Sequence, residues 1–196
     1  MAKFPASFIA KASVEFLPGV GTIAGSCGSL FLKRGSKDAR ASMFDAMAER
    51  QELAERDEAS PLLVHPEGGT TNGRALIKFK KGAFAALKSV KPCGIKYWSN
   101  LMPIPAGVIP FESHLWLTGL NLYSTCDVQE LPTFKPNQYL WDNHMKEGED
   151  KATCYTRVVR NIMAEEFGFT LAEVNMEEKF EYRQLIWPDK GGNKAE

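Results

Sequence analysis

Short apolar runs alternate along this chain with stretches in which apolar residues recur every three or four positions among charges. The runs "ASFIA" at 6–10, "GSLFLKR" at 28–34, "PLLVH" at 61–65 and "CGIKYW" at 93–98 are bounded by Gly, Pro or charged residues, and each predicts a strand. "DVQELP" at 127–132 predicts an edge strand. Residues 36–57 predict a helix, with Ser36 as N-cap and Met43, Phe44 and Met47 as its apolar stripe; the charged remainder, "ERQELAERDE", reads as a solvated face. Gly82 to Val90 predicts a shorter helix, on the spacing of Phe84 and Leu87. After a loop holding Pro103, Pro105 and Pro110, "HLWLTGLNLY" reads as a helix that is apolar nearly all round. "TRVVRNIMAEEF" is amphipathic, with Val158, Val159, Ile162 and Met163 toward one side and Gly168 as C-cap. Residues 1–186 read as one domain, and 187–196, ending "DKGGNKAE", as a flexible tail.

Strands separated by helices indicate an α/β layer structure, and ligands of such sheets gather beyond the carboxyl ends of the strands. Two polar stops lie at such ends: "KR" at 33–34 and "HPEGG" at 65–69. A Gly-rich turn leaving a strand can aim several backbone N–H groups into one concave nest, which suits an anion. Gly68 and Gly69 permit the backbone angles such a turn needs. Arg34 offers a fork of fixed donors for phosphate oxygens, and Lys78, Lys80 and Lys81 add positive charge. The plainer alternative is a tight turn beside a solvated basic stretch. No GK[ST] follows the glycines and no GxGxxG is present, so neither nucleotide fingerprint applies.

Composition narrows the picture further. A chain of 196 residues suits one domain, and 44% hydrophobic with 24% charged residues is an ordinary globular balance. Twenty-four Lys and Arg offset twenty-four Asp and Glu, so bulk charge gives no reason to expect nucleic acid. Cys27, Cys93, Cys126 and Cys154 lie far apart with no CxxC spacing, which argues against a zinc site and for buried free thiols in a reducing compartment. The start of the chain lacks the apolar core of a signal peptide, and no run approaches the roughly 20 apolar residues that span a bilayer. "PFESHLWLTGLNLY", with Trp116 and Tyr123 among leucines, reads either as a helix lying in the headgroup layer or as a buried core helix.

The stretch "HPEGGTTNGRALIKFKKGAFA" resembles the "FPEGT" block of the glycerolipid acyltransferases. Within that family it is most similar to the branch acting on lysophosphatidylcholine and lysophosphatidylethanolamine, where "TN" and "FKxGAF" follow. "LPGVGTIAGSCGSLFLKRGSKDAR" resembles the second block, "VKPCGIKY" the fourth, and "VRNIMAEEFGF" the helix that closes the domain. These four blocks run in order from about residue 6 to 186. The resemblance implies a mixed central sheet flanked by helices. It also implies acyl transfer from acyl-CoA, as a co-substrate rather than a tightly bound cofactor, to the hydroxyl of a lysophospholipid. Acceptor binding then falls to Arg34, Glu67, Gly68, Gly69 and Thr70.

This chain departs from the family's pattern in its catalytic part. The family's His-x4-Asp, whose His is the general base, lies upstream of the second block, and here no His precedes His65. A base must come within about 2.6–3.2 Å of the hydroxyl. His65 has Thr70 five positions on and His114 has Gly119; His144, followed by Glu149, copies the spacing within what reads as a surface loop. His65 itself reads as a satisfied or half-buried structural residue, close enough to the loop for a hydrogen bond to bound phosphate. Gly69 stands where the family has Thr, and Lys33 precedes Arg34 where it often has an acid or a small polar residue. The expectation is therefore an N-terminally incomplete acyltransferase-like domain with no catalytic residue of its own and no metal. It would act as a lipid-binding or structural subunit of a membrane assembly, on the endoplasmic reticulum or a mitochondrial membrane, with phospholipid or lysophospholipid, the membrane surface and protein subunits as partners. The alternative is a portion of an active lysophospholipid acyltransferase whose catalytic segment lies outside this chain.

Overall fold

A computed structural model describes residues 6–16, 19–32, 37–105 and 109–188. The chain divides into two units, one holding the residues up to His65 with Lys81–Ser89, the other holding Pro66–Lys80 and the chain from Val90 on. The class is α/β, as expected. The strands lie in three small ladders, two parallel and one antiparallel.

In the first unit β1 (Ser7–Lys11) lies between β2 (Leu30–Leu32) and β3 (Leu62–Leu63), parallel to both, in the order β2-β1-β3. Parallel neighbours need crossover connections, and α1 (Val20–Ser26) and α2 (Lys37–Glu55) lie in the two connections. Ser7 is fully buried because its N–H and its hydroxyl both donate to the Pro61 carbonyl, at 2.8 and 3.2 Å. Of the stripe predicted on α2, Met47 is buried and Phe44 is exposed, its ring edge lying against Gly82. Arg50 of the same helix donates to the Gly28 carbonyl at 2.9 Å, where Gly28 turns the chain into β2 with φ +71°. The predicted cap Ser36 lies outside the described residues.

The helix predicted over 82–90 does not form. A short 3₁₀ turn, Lys81–Phe84, buries Phe84, and Leu87 then takes a φ of +52°, which no α-helix continues through. The physical reason is its neighbour. This segment lies along α2, where Gln51 donates to the Ala83 carbonyl at 2.9 Å, Lys88 bonds Glu52, and the Ser89 N–H donates to Glu55 at 2.8 Å. Those partners replace the intrahelical ones.

The second unit is organised by α5 (Lys151–Phe167), whose buried side carries Cys154, Tyr155, Val158, Val159, Ala164 and Phe167. Gly168 ends it in the left-handed conformation predicted for a C-cap. β5 (Cys93–Ser99) and β6 (Ser124–Glu130) form an antiparallel pair, with Ile95 opposite Val128 and Tyr97 opposite Cys126. Every residue of β6 is exposed, as an edge strand requires. Gly94 is buried where a Cβ would stand 2.6 Å from the Phe167 ring, so only glycine lets β5 approach α5 this closely. α3 (Phe111–Gly119) is the predicted apolar helix, shorter than expected because the chain turns at Leu120 into β6. Two helices of this unit had no prediction: α4 (Gln138–His144), capped by Asn137, and α6 (Met176–Ile186), capped by the reciprocal Asn175–Glu178 pair. His144 is the last residue of α4, and the rest of the segment read as a surface loop, 145–149, is loop, exposed but for the half-buried Glu149. From residue 189 the predicted tail lies outside the described residues.

Candidate functional site

Pro66 to Lys80 form one braced turn. The Lys80 N–H donates to the Pro66 carbonyl at 2.7 Å and closes its base. Inside that closure the Glu67 carboxylate folds inward and accepts the Ile77 N–H at 3.0 Å. Gly68 sits at φ +80°, with the Lys80 side chain so close that a Cβ would stand 2.7 Å from its Cε. Thr71 Oγ1 accepts from the Gly73 N–H at 3.3 Å, and Asn72 Oδ1 from the Arg74 N–H at 3.1 Å, which ends the turn at Gly73 with φ +73°. The chain then enters β4 (Ala75–Leu76), parallel to β7 (Thr170–Leu171).

Arg160 fixes the far side of this turn. It is buried, and its guanidinium donates to the Ala172 carbonyl at 2.7 Å, the Leu76 carbonyl at 3.0 Å and the Glu173 carboxylate at 2.9 Å. One arginine on α5 thereby joins β4 to the chain just after β7. Its positive charge also reaches Glu67. Burial pushes the Glu67 carboxyl above its ordinary range, while the Ile77 N–H, Arg160 and Lys179 pull the other way.

The cations of the site differ from those expected. Lys78 lies 3.8 Å from Glu173 and Lys80 lies 3.2 Å from Glu177, so two of the three lysines taken as local positive charge face acids. A cation that periodicity and spacing did not flag comes closer: Lys179, on the first turn of α6, bonds the Thr70 carbonyl. Burial and nearby Arg183 hold its ammonium below the usual lysine range, with Glu67 opposing. Gly69 faces α6 as well, since a Cβ there would stand 3.0 Å from Met176 Cε. Of the predicted acceptor residues, Glu67, Gly68, Gly69 and Thr70 are thus drawn into one turn, and Arg34 lies outside the described residues.

Among the described residues none of the three histidines has the arrangement of a base steadied by a carboxylate. His65 is exposed rather than half-buried. His114 is buried, with Nε2 3.0 Å from the Ile104 carbonyl. His144 packs edge-on to Tyr139, and the carboxylate that copies the family spacing, Glu149, is held by Arg157 at 2.8 and 3.0 Å. The four cysteines are free thiols, of which Cys154 is buried and Cys126 is exposed, against the expectation that all are buried. Among the described residues no group of His, Cys, Asp and Glu is arranged to hold a metal, and no helix is long and apolar enough to cross a membrane.

Beside the turn, Asn72, Arg74, Ile95, Tyr97, Leu101 and Phe169 help line an open cleft of about 500 Å³. Apolar side chains are also exposed on and after α3: Leu115, Trp116 at 81%, Leu120, Leu122 at 92% and Tyr123.

Residues 2–106 match the acyltransferase family model. The chain is 32% identical to a lysophospholipid acyltransferase of Arabidopsis thaliana over 94% of its own length and 45% of that protein. It is 29% identical to lysophosphatidylcholine acyltransferase 1 of Danio rerio over 88% of its length and 32% of that protein. With a lysophosphatidylcholine acyltransferase of Drosophila melanogaster it shares 28% identity over 91% of its length and 32% of that protein. The chain thus spans 32–45% of the length of these relatives. No solved structure matches it.

Proposed function

The chain belongs to the acyltransferase family, and from that premise we propose that it forms the acceptor-binding part of a lysophospholipid acyltransferase. The observation that carries this is the inward Glu67 carboxylate bonded to the Ile77 N–H. It braces a two-glycine turn, so that the loop's shape rather than the carboxylate itself meets the ligand. An acidic side chain turned toward phosphate would repel it; one turned into the loop leaves the turn's backbone N–H groups to meet the anion. The neighbouring cleft, with Ile95, Tyr97, Leu101 and Phe169, suits the alkyl chain of the same amphiphile. The names of the relatives support a lysophospholipid as the acceptor.

In the transfer itself the acceptor hydroxyl attacks the thioester carbon of acyl-CoA. A C–O bond forms as the C–S bond breaks, and the hydroxyl proton passes through a base to the departing thiolate. Among the described residues no His is set up as that base. The reading for the chain by itself is therefore binding without turnover, as a lipid-binding member of a membrane assembly. Titration with lysophosphatidylcholine, alongside transfer from radiolabelled acyl-CoA, tests both halves. Saturable binding with no product is expected. Product formation overturns the non-catalytic half, and absence of binding overturns the whole.

The exposed leucines and aromatic rings of α3 and Leu120–Tyr123 support contact with a membrane surface, where Trp and Tyr favour the headgroup layer. Flotation with phosphatidylcholine vesicles should fall in Trp116→Glu and Leu120→Glu. Unchanged flotation would remove the membrane contact and leave this face for a protein neighbour.

A further inference from the structure

We propose that the first turn of α6 is a working part of the loop site, with Glu177 and Lys179 as positioning residues that hold residues 67–70 in the shape that receives the acceptor. This rests on the acceptor reading above. It concerns a helix that lies beyond residues 2–106, where the family match ends, and for which neither composition nor motif suggested a role.

Three successive loop residues each meet this turn or its partner. The Lys80 stem lies against Gly68, and its ammonium is 3.2 Å from Glu177. Met176, buried, lies against Gly69 at the position a Cβ would fill. Lys179 bonds the Thr70 carbonyl. The helix is itself held in place. The Lys78 N–H donates to the Val174 carbonyl at 3.0 Å, the Ala172 N–H to the Leu76 carbonyl at 2.9 Å, and the Asn175–Glu178 capping pair fixes where α6 begins. A glycine at 69, where the family has Thr, leaves the space that Met176 takes up. Loss of that hydroxyl and gain of this contact are two sides of one local arrangement.

A purely structural role predicts something different from a positioning role. Lys80 and Glu177 are both more than half exposed, and exposed pairs contribute little to global stability. Their reversal should therefore leave the melting temperature nearly unchanged, and its effect should appear in the loop and in acceptor binding.

The test uses the full chain with Lys179→Met, Lys179→Arg, Glu177→Lys, Lys80→Glu and the double reversal Lys80→Glu/Glu177→Lys. Two readouts are taken: amide hydrogen exchange of residues 68–72 without ligand, and binding of lysophosphatidylcholine. Lys179→Met and Glu177→Lys should speed exchange about tenfold and weaken binding about tenfold, while Lys179→Arg and the double reversal recover both. Unchanged exchange in Lys179→Met and Glu177→Lys, with the parent binding normally, overturns the positioning role and leaves the acceptor reading intact. The expected exchange pattern in a chain that binds no lysophosphatidylcholine keeps the clamp and overturns the acceptor reading.

Discussion

Glu67 gives the sharpest check on how the loop is built. Its carboxylate accepts the Ile77 N–H at 3.0 Å, and Ile77 is 7% exposed. Replacing Glu67 by Ala leaves that N–H without its acceptor in a place water reaches poorly. An orphaned buried donor costs about 1–3 kcal/mol, and for a chain of this size each kcal/mol lowers Tm by roughly 2–4 °C. Glu67→Ala should therefore melt roughly 2–12 °C lower. Glu67→Gln keeps an oxygen for Ile77 and removes the charge that burial disfavours. Folding raises the Glu67 pKa above its ordinary 4.5, so between 4.5 and the folded value the native state holds a proton that the unfolded state has released. Native stability then falls as pH rises through that window, and a Gln at 67 does not share the fall. Melting curves followed by circular dichroism from pH 4 to 8 should show Glu67→Gln gaining on the parent chain as pH rises, with Glu67→Ala below both. Equal melting of the Ala and Gln variants would refute the brace. A parent chain that gains on Glu67→Gln with rising pH would refute the burial argument. If the brace shapes the pocket, Glu67→Gln also retains lysophosphatidylcholine binding, whereas Glu67→Ala loses it.

Arg160→Met removes three hydrogen bonds at once, of which the one to the Ala172 carbonyl has no evident replacement; a loss of about 2–3 kcal/mol is expected, and urea unfolding that moves by less than about 0.5 kcal/mol would contradict it. Arg157 holds the Glu149 carboxyl below its ordinary 4.5, so that pair stabilises the fold above this value and the benefit disappears as pH falls through the lower folded pKa; Arg157→Gln should flatten that part of the acid limb in a pH titration of Tm, and an unchanged limb would count against the pair. Gly94→Ala places a methyl 2.6 Å from the Phe167 ring; the overlap should cost about 1–3 kcal/mol, and a chain of parent stability would mean that α5 and β5 separate more easily than their packing suggests.

What the chain's own pattern reveals, and what it conceals, follows from the range of the interactions. Strands β1, β2, β3, β5 and β6 and helices α2 and α5 are visible because their apolar spacing and their bounding Gly, Pro or charged residues are local. So is the turn at 66–73, whose glycines, Thr71 and Asn72 act on their own backbone. The 82–90 segment misleads for the opposite reason: its helical spacing is overruled by acceptors that α2 supplies from thirty residues away. α6 has a readable start, Asn175 followed three residues later by Glu178, but its Phe180 and Leu185 are exposed and form no stripe to draw attention. The electrostatics of the site are the least local of all. Three lysines at 78, 80 and 81 suggest a basic patch by composition, yet Glu173 and Glu177 face the first two, and the positive charge at Thr70 comes from position 179, more than a hundred residues on. Charge counted along a chain thus identifies a class of ligand better than it identifies the side chains that meet it. The departure at Gly69 illustrates the same point. Judged alone it subtracts a hydroxyl from an acceptor loop. Judged with Met176 it makes room for the helix that steadies the loop, so the substitution and the helix position are one feature.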